Sequence, residues 1–305
     1  MNEKALLFGE PGSLAGILSD PSAGARGREL PAVVILNAGI VHHVGPNRIH
    51  VKLARKLAAA GFVAMRFDFS GIGDSRPRLD GKPFAQSAPE EVRQCLDYLE
   101  FSRGIRRFVL VGICSGADNA LRAGALDPRV EGAVLIEGHA IPTPAYLLRL
   151  YRRRLLSPRS WLRLLSGRSE ILRSIRFSRR SGSARRAAGT RDAKVRGETL
   201  SPVKREILES IRALDARRAR VLLIYSSGSA SHLFYETILR RRVADVRERG
   251  SLEARLVEGA DHVFTHQTTQ SQLLSTIFDW LQKLGSPGER PEAQAPALDI
   301  RAQFQ

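Results

Sequence analysis

Cysteine is scarce in this sequence, which contains only Cys95 and Cys114 among its 305 residues. Two cysteines do not make the disulfide framework that is typical of small exported proteins. The first ten residues are charged and contain no apolar run followed by a small-residue cleavage site, so they predict no signal peptide. No segment approaches the roughly 20 consecutive apolar residues of a membrane-spanning helix. These absences predict a cytoplasmic protein without a transmembrane segment.

Acidic residues are outnumbered: the chain contains 48 Lys and Arg but only 31 Asp and Glu, which gives a formal net charge of +17. Such a balance is compatible with nucleic acid, an anionic membrane surface or an acidic protein partner. Aromatic residues make up only 6% of the chain and no recognition motif is present, so nucleic acid is disfavoured. Gly71 and Gly73 lack the third glycine and the later acidic residue of a dinucleotide-binding motif. We predict no cofactor and no metal site.

Short apolar runs rich in β-branched residues alternate with helical patterns along most of the chain. The predicted strands lie at 31–36, 62–67, 107–111, 132–136, 220–225 and 252–257. The predicted helices lie at 49–60, 89–101, 117–125, 233–248 and 270–284. This alternation predicts an α/β fold with a mostly parallel sheet covered by helices on both faces. The segments 5–8 and 14–18 predict a hairpin at the edge of the sheet.

The pattern changes between residues 140 and 218, where no strand is predicted and 21 Lys or Arg accompany 6 Asp or Glu. Apolar residues here recur at helical spacing, as at Leu147, Leu148, Tyr151 and Leu155. We therefore predict one core domain, formed by residues 1–139 and 219–285, that is interrupted by a basic helical insertion at 140–218. The polar segment 286–305 is predicted to be disordered.

The candidate nucleophile is Cys114, at the centre of the segment Gly112–Gly116 between a predicted strand and a predicted helix. A nucleophile elbow requires this strand–turn–helix context, with small residues flanking a sharp turn. The helix N-terminus offers backbone N–H groups to a developing oxyanion. The competing interpretation is an inert buried thiol, which is the more common fate of a free cysteine and the one predicted for Cys95.

The candidate general base is His262, which follows the last predicted strand in a short loop. It comes after the nucleophile and any acid in the chain order that this type of site requires. Its neighbour Asp261 is predicted to structure the loop. His42 and His43, in the loop after the first central strand, are candidates for substrate contact, although loop or surface histidines are the more common interpretation. The remaining histidines are His50, His139, His232 and His266.

Four segments carry a resemblance to a known family: Leu36–Arg48, Arg66–Ser75, Gly259–Thr265 and the elbow itself. With them the chain resembles the α/β-hydrolase superfamily over residues 33–284. Within it the chain is most similar to the exosortase-A-associated hydrolases, which are related to the serine-aminopeptidase-like hydrolases. The resemblance implies the α/β-hydrolase fold, and the segment Arg154–Trp161 resembles that family's helical lid. It also implies that Cys114 stands where most members have the nucleophilic serine.

The family's catalytic triad consists of a nucleophile, an acid and a histidine, and the acid is where this sequence departs from the pattern. The resemblance places an aspartate near Ser229, but the segment from Tyr225 to His232 contains no carboxylate. Glu137, at the end of the preceding strand, is one substitute, and Glu236 is a second. A dyad without an acid is a third, because a cysteine can form an ion pair with histidine unaided. We slightly favour Glu137.

The oxyanion hole is predicted from backbone N–H groups on two sides of the nucleophile. Ser115 would contribute its N–H, and Gly39 or Ile40 would contribute the other. Ser115 itself lies one position too late to be the nucleophile. Asp68 and Asp74 match family positions, and we expect them to hold turns together.

These residues predict an acyl ester or thioester hydrolase, or an acyltransferase, that forms a covalent acyl-Cys114 intermediate. A thiolate exchanges readily with thioesters, so CoA-bound or carrier-protein-bound acyl groups are candidate substrates. The arginine-rich insertion would then bind a phosphate or an acidic carrier protein, although such a charge run is as often a solvated helical face. The alternative is a catalytically degenerate binding module that docks on an acidic protein or an anionic membrane surface.

Overall fold

The computed structural model describes residues 1–10, 12–22, 30–141 and 201–284. Within these ranges eight strands form one sheet in the order β1-β2-β4-β3-β5-β6-β7-β8. The strands are β1 Asn2–Phe8, β2 Leu14–Asp20, β3 Ala32–Leu36, β4 Ala64–Phe67, β5 Phe108–Ile113, β6 Val130–Ile136, β7 Arg220–Ser226 and β8 Leu252–Val257. β1 and β2 form the predicted antiparallel hairpin at one edge, and β3 to β8 run parallel to one another. The predicted α/β fold is confirmed.

Helices cover both faces of this sheet. They are α1 Ile49–Ala59, α2 Phe84–Arg103, α3 Ser115–Leu126, α4 Pro202–Ala216, α5 Ala230–Phe234, α6 Arg240–Arg242, α7 Ala244–Glu248 and α8 Gln267–Leu284. α1 and α8 pack on one face, while α2, α3 and α4 pack on the other. The central strands are buried on both sides, which explains their continuous apolar runs. Among the described residues, no helix combines the length and apolar character needed to cross a membrane.

Two predicted helices differ from the observed ones. α2 begins at Phe84, five residues before the prediction, and runs through Pro89. This proline leaves the carbonyl of Ala85 without its helical partner, and Ala85 is exposed, so water can replace that bond. The single helix predicted at 233–248 is divided into α5, a π-helical turn at Tyr235–Leu239, α6 and α7. Buried Val243 leaves helical geometry between α6 and α7, with φ −116° and ψ 21°.

α4 falls inside the predicted insertion, yet it packs against α3 as part of the core. Its buried side chains are Ile207, Leu208, Ile211 and Leu214. Arg122 of α3 also donates to Glu206 of α4 over 2.6 Å. The core therefore includes a helix that the prediction placed outside it. The rest of the predicted lid, residues 142–200, and the predicted disordered segment 286–305 lie outside the described residues.

Candidate active site

Cys114 lies alone between β5, which ends at Ile113, and α3, which begins at Ser115. Its backbone has φ 58° and ψ −124°, a region that non-glycine residues rarely adopt. The turn is held on both sides, because the Cys114 N–H donates to the Ile136 carbonyl over 2.8 Å and its carbonyl accepts from Ala117 over 3.0 Å. This strained, fixed geometry is that of the predicted nucleophile elbow.

The glycines on either side of the elbow allow close backbone packing. A Cβ atom on Gly112 would lie 2.1 Å from the carbonyl oxygen of Gly116, and one on Gly116 would lie 2.4 Å from that of Asn37. Real Cβ atoms do not approach backbone this closely, so both positions require glycine. The elbow is thereby pressed against the end of β3, where the loop with the predicted oxyanion-hole residues begins.

Glu137, directly after β6, faces His262. Its Oε2 lies 3.2 Å from Nδ1 of His262, and its Oε1 accepts a hydrogen bond from the backbone N–H of Ser226. The carboxylate is completely buried, and the Glu137 backbone is itself in the left-handed region at φ 52°. A buried carboxylate needs such partners, because an unpaired charge away from water is costly. Glu137 therefore has a fixed position and one defined imidazole to interact with.

The loop between β8 and α8 positions His262. The Asp261 carboxylate accepts a hydrogen bond from the backbone N–H of Thr265 over 2.8 Å, which agrees with the prediction that Asp261 structures this loop. Asn47 donates from Nδ2 to the carbonyl of Val263 over 3.0 Å and so ties this loop to the loop after β3. His262 remains about half exposed and can meet both Glu137 and a molecule arriving from solvent.

Cys114 and His262 form a hydrogen bond that shifts both of their pKa values. The bond to His262 lowers the pKa of the Cys114 thiol, although partial burial opposes this effect. The bonds to Cys114 and Glu137 raise the pKa of His262 to about 10. Both shifts favour a thiolate beside an imidazolium near neutral pH. Complete burial raises the pKa of Cys95 instead, which keeps that thiol neutral.

The other candidate acid, Glu236, has a different partner. Its carboxylate accepts from Arg240 over 2.8 Å, and the side chain is partly exposed. Ser229, at the position where the family resemblance implies an aspartate, caps α5 by accepting from the N–H of His232 over 3.1 Å. Of the alternatives left open by the sequence, the structure thus brings Glu137 against His262.

The predicted oxyanion-hole residues are close together, but one N–H group already has a partner. The backbone N–H of Gly39 donates to the side-chain Oγ of Ser115 over 2.8 Å. Gly39 has φ 60°, a conformation that favours glycine. The side chain of Ile40 is 91% exposed. The contact between Gly39 and the Ser115 hydroxyl was not predicted from the sequence, since a side chain that follows the nucleophile carries no pattern of its own.

A buried polar network holds the loop that carries Gly39. Asn37, directly after β3, donates to Asp68 over 2.8 Å and to the Val41 carbonyl over 2.9 Å. Asp68 also accepts from the backbone and the ring of His43, over 2.6 and 2.7 Å. Burial opposes ionisation of Asp68, but the bonds from His43 and Asn37 outweigh it and lower its pKa. Asn37 was not among the candidate residues, although its position directly after the strand was a signal.

The two loop histidines predicted to contact substrate differ from each other. His42 is exposed, whereas His43 is buried and bonded to Asp68. Asp68 also accepts a hydrogen bond from the backbone N–H of Asp74 over 3.1 Å, so the Asp68 carboxylate stabilises the turn as expected, and a role of the Asp74 carboxylate stays a prediction. His43, Asp68 and Asp74 are close enough to share an ion. Because Asp68 already accepts from several donors, we interpret this cluster as a loop anchor. Its geometry gives His43 a structural contact, and substrate contact by His42 stays a prediction.

Comparisons with known proteins agree with this fold. The model of the alpha/beta hydrolase family matches residues 33–273. Proline iminopeptidase from Mycobacterium smegmatis is 14% identical, with a TM-score of 0.55, over 92% of this chain and 98% of that one. An esterase of Pyrococcus furiosus is 15% identical, with a TM-score of 0.55, over 93% and 91%. DcsB in complex with a substrate analogue is 11% identical, with a TM-score of 0.56, over 93% and 100%.

At these identities the structural likeness shows the fold alone. A comparison with curated proteins found no match. The family model, however, covers well over half of the chain and includes the elbow, Glu137 and His262. The chain belongs to the alpha/beta hydrolase family.

Proposed function

We propose that this protein is an acyl ester or thioester hydrolase, or an acyltransferase, that works through a covalent acyl-Cys114 intermediate. The observation that carries the proposal is the connected arrangement of Cys114, His262 and Glu137 at a strained elbow. A nucleophile, a base within hydrogen-bond reach and a group that orients the base are the elements of nucleophilic catalysis.

Acylation begins when the Cys114 thiolate attacks the substrate carbonyl. The S–C bond forms while the carbonyl π electrons move onto oxygen, where backbone N–H groups of the elbow stabilise the charge. The tetrahedral adduct then collapses and the bond to the leaving group breaks. Because Glu137 engages Nδ1 of His262, Nε2 carries the proton that the leaving group takes.

Deacylation uses the same groups in reverse. The neutral His262 removes a proton from water, an amine or a thiol as that acceptor attacks the acyl-Cys114 carbonyl. Collapse of the second adduct breaks the C–S bond and restores the thiolate and the imidazolium. Glu137 stabilises the positive charge on His262 in both half-reactions and fixes its ring orientation.

A cysteine nucleophile favours thioesters among the candidate substrates. The acyl-S bond formed on Cys114 has about the free energy of the thioester bond that is broken, so acyl groups bound to CoA or to a carrier protein are suitable donors. The basic composition of residues 140–218 supports an acidic or phosphate-bearing partner. The exosortase-associated subgroup and a cytoplasmic location belong to the same proposal and rest on the sequence.

The alternative of a degenerate binding module makes a different prediction about Cys114. A module without catalysis would leave an ordinary thiol at this position, as in a buried structural cysteine. The hydrogen bond with His262 and the lowered pKa of Cys114 favour the enzyme.

A thioesterase assay tests the proposed function. A panel of acyl thioesters and esters is incubated with the wild type and with Cys114→Ala, and release of the thiol or alcohol is followed. Cys95→Ala, checked by circular dichroism, is the matched control for the loss of a thiol. We expect turnover that Cys114→Ala abolishes and Cys95→Ala retains. Turnover that survives in Cys114→Ala, or none with any member of the panel, would refute the proposal. Added amines and thiols then separate transfer from hydrolysis.

A further inference from the structure

The side-chain hydroxyl of Ser115 lies beside the predicted oxyanion hole, which the sequence analysis built from backbone N–H groups alone. Its Oγ accepts the N–H of Gly39 over 2.8 Å, at the solvent-facing side of the elbow. That N–H was one of the predicted donors to the oxyanion. In this structure the Gly39 N–H is directed at a side chain, so the second donor to the oxyanion is either the N–H of Ile40, the other predicted candidate, or a group through which the Gly39 N–H acts.

The Ser115 hydroxyl can supply that donor. A serine hydroxyl has one O–H donor and two acceptor sites, and Gly39 uses one acceptor site. Within residues 1–10, 12–22, 30–141 and 201–284, no hydrogen bond is recorded in which the Ser115 O–H donates. A hydroxyl that accepts from an amide is polarised and becomes a stronger donor itself.

The backbone of the same residue already faces the reacting sulfur. A hydrogen bond from the Ser115 N–H is one of the causes that lower the pKa of Cys114, after the larger effect of His262. The N–H and the O–H of one residue thus lie on the solvent-facing side of the elbow, beside the atom that a substrate carbonyl must approach.

We propose that the Ser115 side-chain hydroxyl is a catalytic donor to the oxyanion, with the N–H of Gly39 acting through it. The inference rests on the proposed acyl-Cys114 chemistry. When the S–C bond forms, the carbonyl π electrons move to oxygen, and the Ser115 O–H donates a hydrogen bond without transferring its proton. When the adduct collapses, the electron pair returns to the carbonyl and the hydroxyl is unchanged.

Two other roles of the hydroxyl predict different results. If Ser115 only blocked the N–H of Gly39, removing the hydroxyl would free that N–H and make acylation faster. If the hydroxyl only held the loop in place, its removal would disturb every reaction of Cys114. A donor to the oxyanion affects only those reactions in which a carbonyl becomes an oxyanion.

The test compares two reactions of Cys114 in Ser115→Ala and Ser115→Thr. Acylation by a thioester that the wild type accepts is measured in a single turnover, and alkylation by iodoacetamide, which displaces iodide and forms no oxyanion, is measured in parallel. Ser102→Ala is the matched control, because the Ser102 hydroxyl is exposed and bonds to its own helix at Tyr98. Circular dichroism confirms that each variant is folded.

We expect Ser115→Ala to slow acylation by roughly 10²- to 10³-fold while alkylation keeps its wild-type rate, and Ser115→Thr to recover most of the loss. Acylation at the wild-type rate or faster, or an equal loss in both reactions, would overturn the inference. A wild-type protein that alkylates but is never acylated would instead refute the proposed function, and the inference would fall with it.

Discussion

Oε2 of Glu137 lies 3.2 Å from Nδ1 of His262, although 125 residues separate them in the chain. The two meet because β6 and β8 are parallel strands of one sheet and both residues follow the carboxyl ends of these strands. The left-handed backbone of Glu137 is part of the sharp turn after β6. A carboxylate that follows β6 thus contacts the imidazole, whereas the segment 227–232 after β7 contains no carboxylate.

Glu137→Gln is expected to lower kcat by roughly 10- to 1000-fold, because the neutral amide cannot stabilise the imidazolium of His262. Glutamine has nearly the same size as glutamate, so the loss of kcat measures the effect of removing the negative charge rather than a change in packing. The pKa of His262, about 10 in the native protein, should fall. Steady-state kinetics and NMR titration of the His262 ring measure both effects.

Glu236→Gln decides between the two carboxylates that the sequence left open. Its partner in the structure is Arg240 on the surface, so its replacement should leave both kcat and the His262 titration near their native values. A large loss in Glu236→Gln, together with native activity in Glu137→Gln, would contradict the assignment of the acid.

The reactivity of Cys114 should depend on pH in a defined direction. Its lowered pKa means that the thiolate is present at a pH where an ordinary thiol, with a pKa near 9, is protonated. Alkylation by iodoacetamide should therefore reach its plateau below that pH and decline as the pH falls further. At alkaline pH, deprotonation of His262 near pH 10 should slow acylation but not alkylation.

His262→Ala provides the comparison for this pH profile. Without the imidazolium, the pKa of Cys114 should return upward and alkylation at neutral pH should slow. Peptide mapping identifies the modified cysteine, which should be Cys114 and not the buried Cys95. Equal labelling of both thiols in the folded protein would contradict the assignment.

Acid should destabilise the protein through His50. Burial is the largest cause that lowers the pKa of His50 to about 4, and the charge of Arg66 adds to it, with smaller effects from His43 and Asp68. The unfolded chain binds this proton near pH 6.5, so between about pH 6.5 and 4 the unfolded state holds more protons. The free energy of unfolding should fall in this window by up to roughly 3 kcal/mol.

His50→Leu should flatten this dependence, because leucine does not titrate and leaves no unpartnered ring nitrogen in the core. Urea denaturation at neutral and at mildly acidic pH measures it. The exposed His266 supplies the control variant His266→Leu, which should keep the native slope. An unchanged pH dependence in His50→Leu would show that other groups cause the acid sensitivity.

Ile211→Ala should lower the free energy of unfolding by about 2 to 5 kcal/mol, since Ile211 is completely buried between α4 and the sheet. The control is Arg212→Ala, at the exposed residue next to Ile211. It should change the free energy of unfolding by less than about 0.5 kcal/mol. Chemical denaturation of both variants provides the comparison. A small effect at Ile211 would mean that α4 is a detachable part of the insertion rather than core.

The elbow and the strands themselves could be predicted from the sequence because their signals are local. Gly112, Cys114 and Gly116 occupy alternate positions of one five-residue segment, and buried parallel strands have continuous apolar runs. The partner of His262 could not be chosen, because Glu137 and Glu236 both follow a strand along the chain and only the tertiary structure brings one of them to the imidazole.

Other features depended on contacts that no local pattern carries. The role of α4 was missed, since it lies within the segment 140–218 whose overall basic composition marked the insertion, while its apolar face packs on α3. The bond between Gly39 and the Ser115 hydroxyl joins the loop after β3 to the first residue of α3, 76 residues away in the chain. The burial of His43 follows from Asp68, whose position after β4 is fixed only when the sheet forms.

Intact-protein mass spectrometry after brief mixing with an acyl thioester tests the acyl-Cys114 intermediate most directly. The wild type should gain the mass of one acyl group, His262→Ala should gain it slowly, and Cys114→Ala should gain none. Peptide mapping should place the acyl group on Cys114. An adduct that persists in Cys114→Ala, or turnover of the thioester with no adduct under any quench condition, would contradict covalent catalysis by this cysteine.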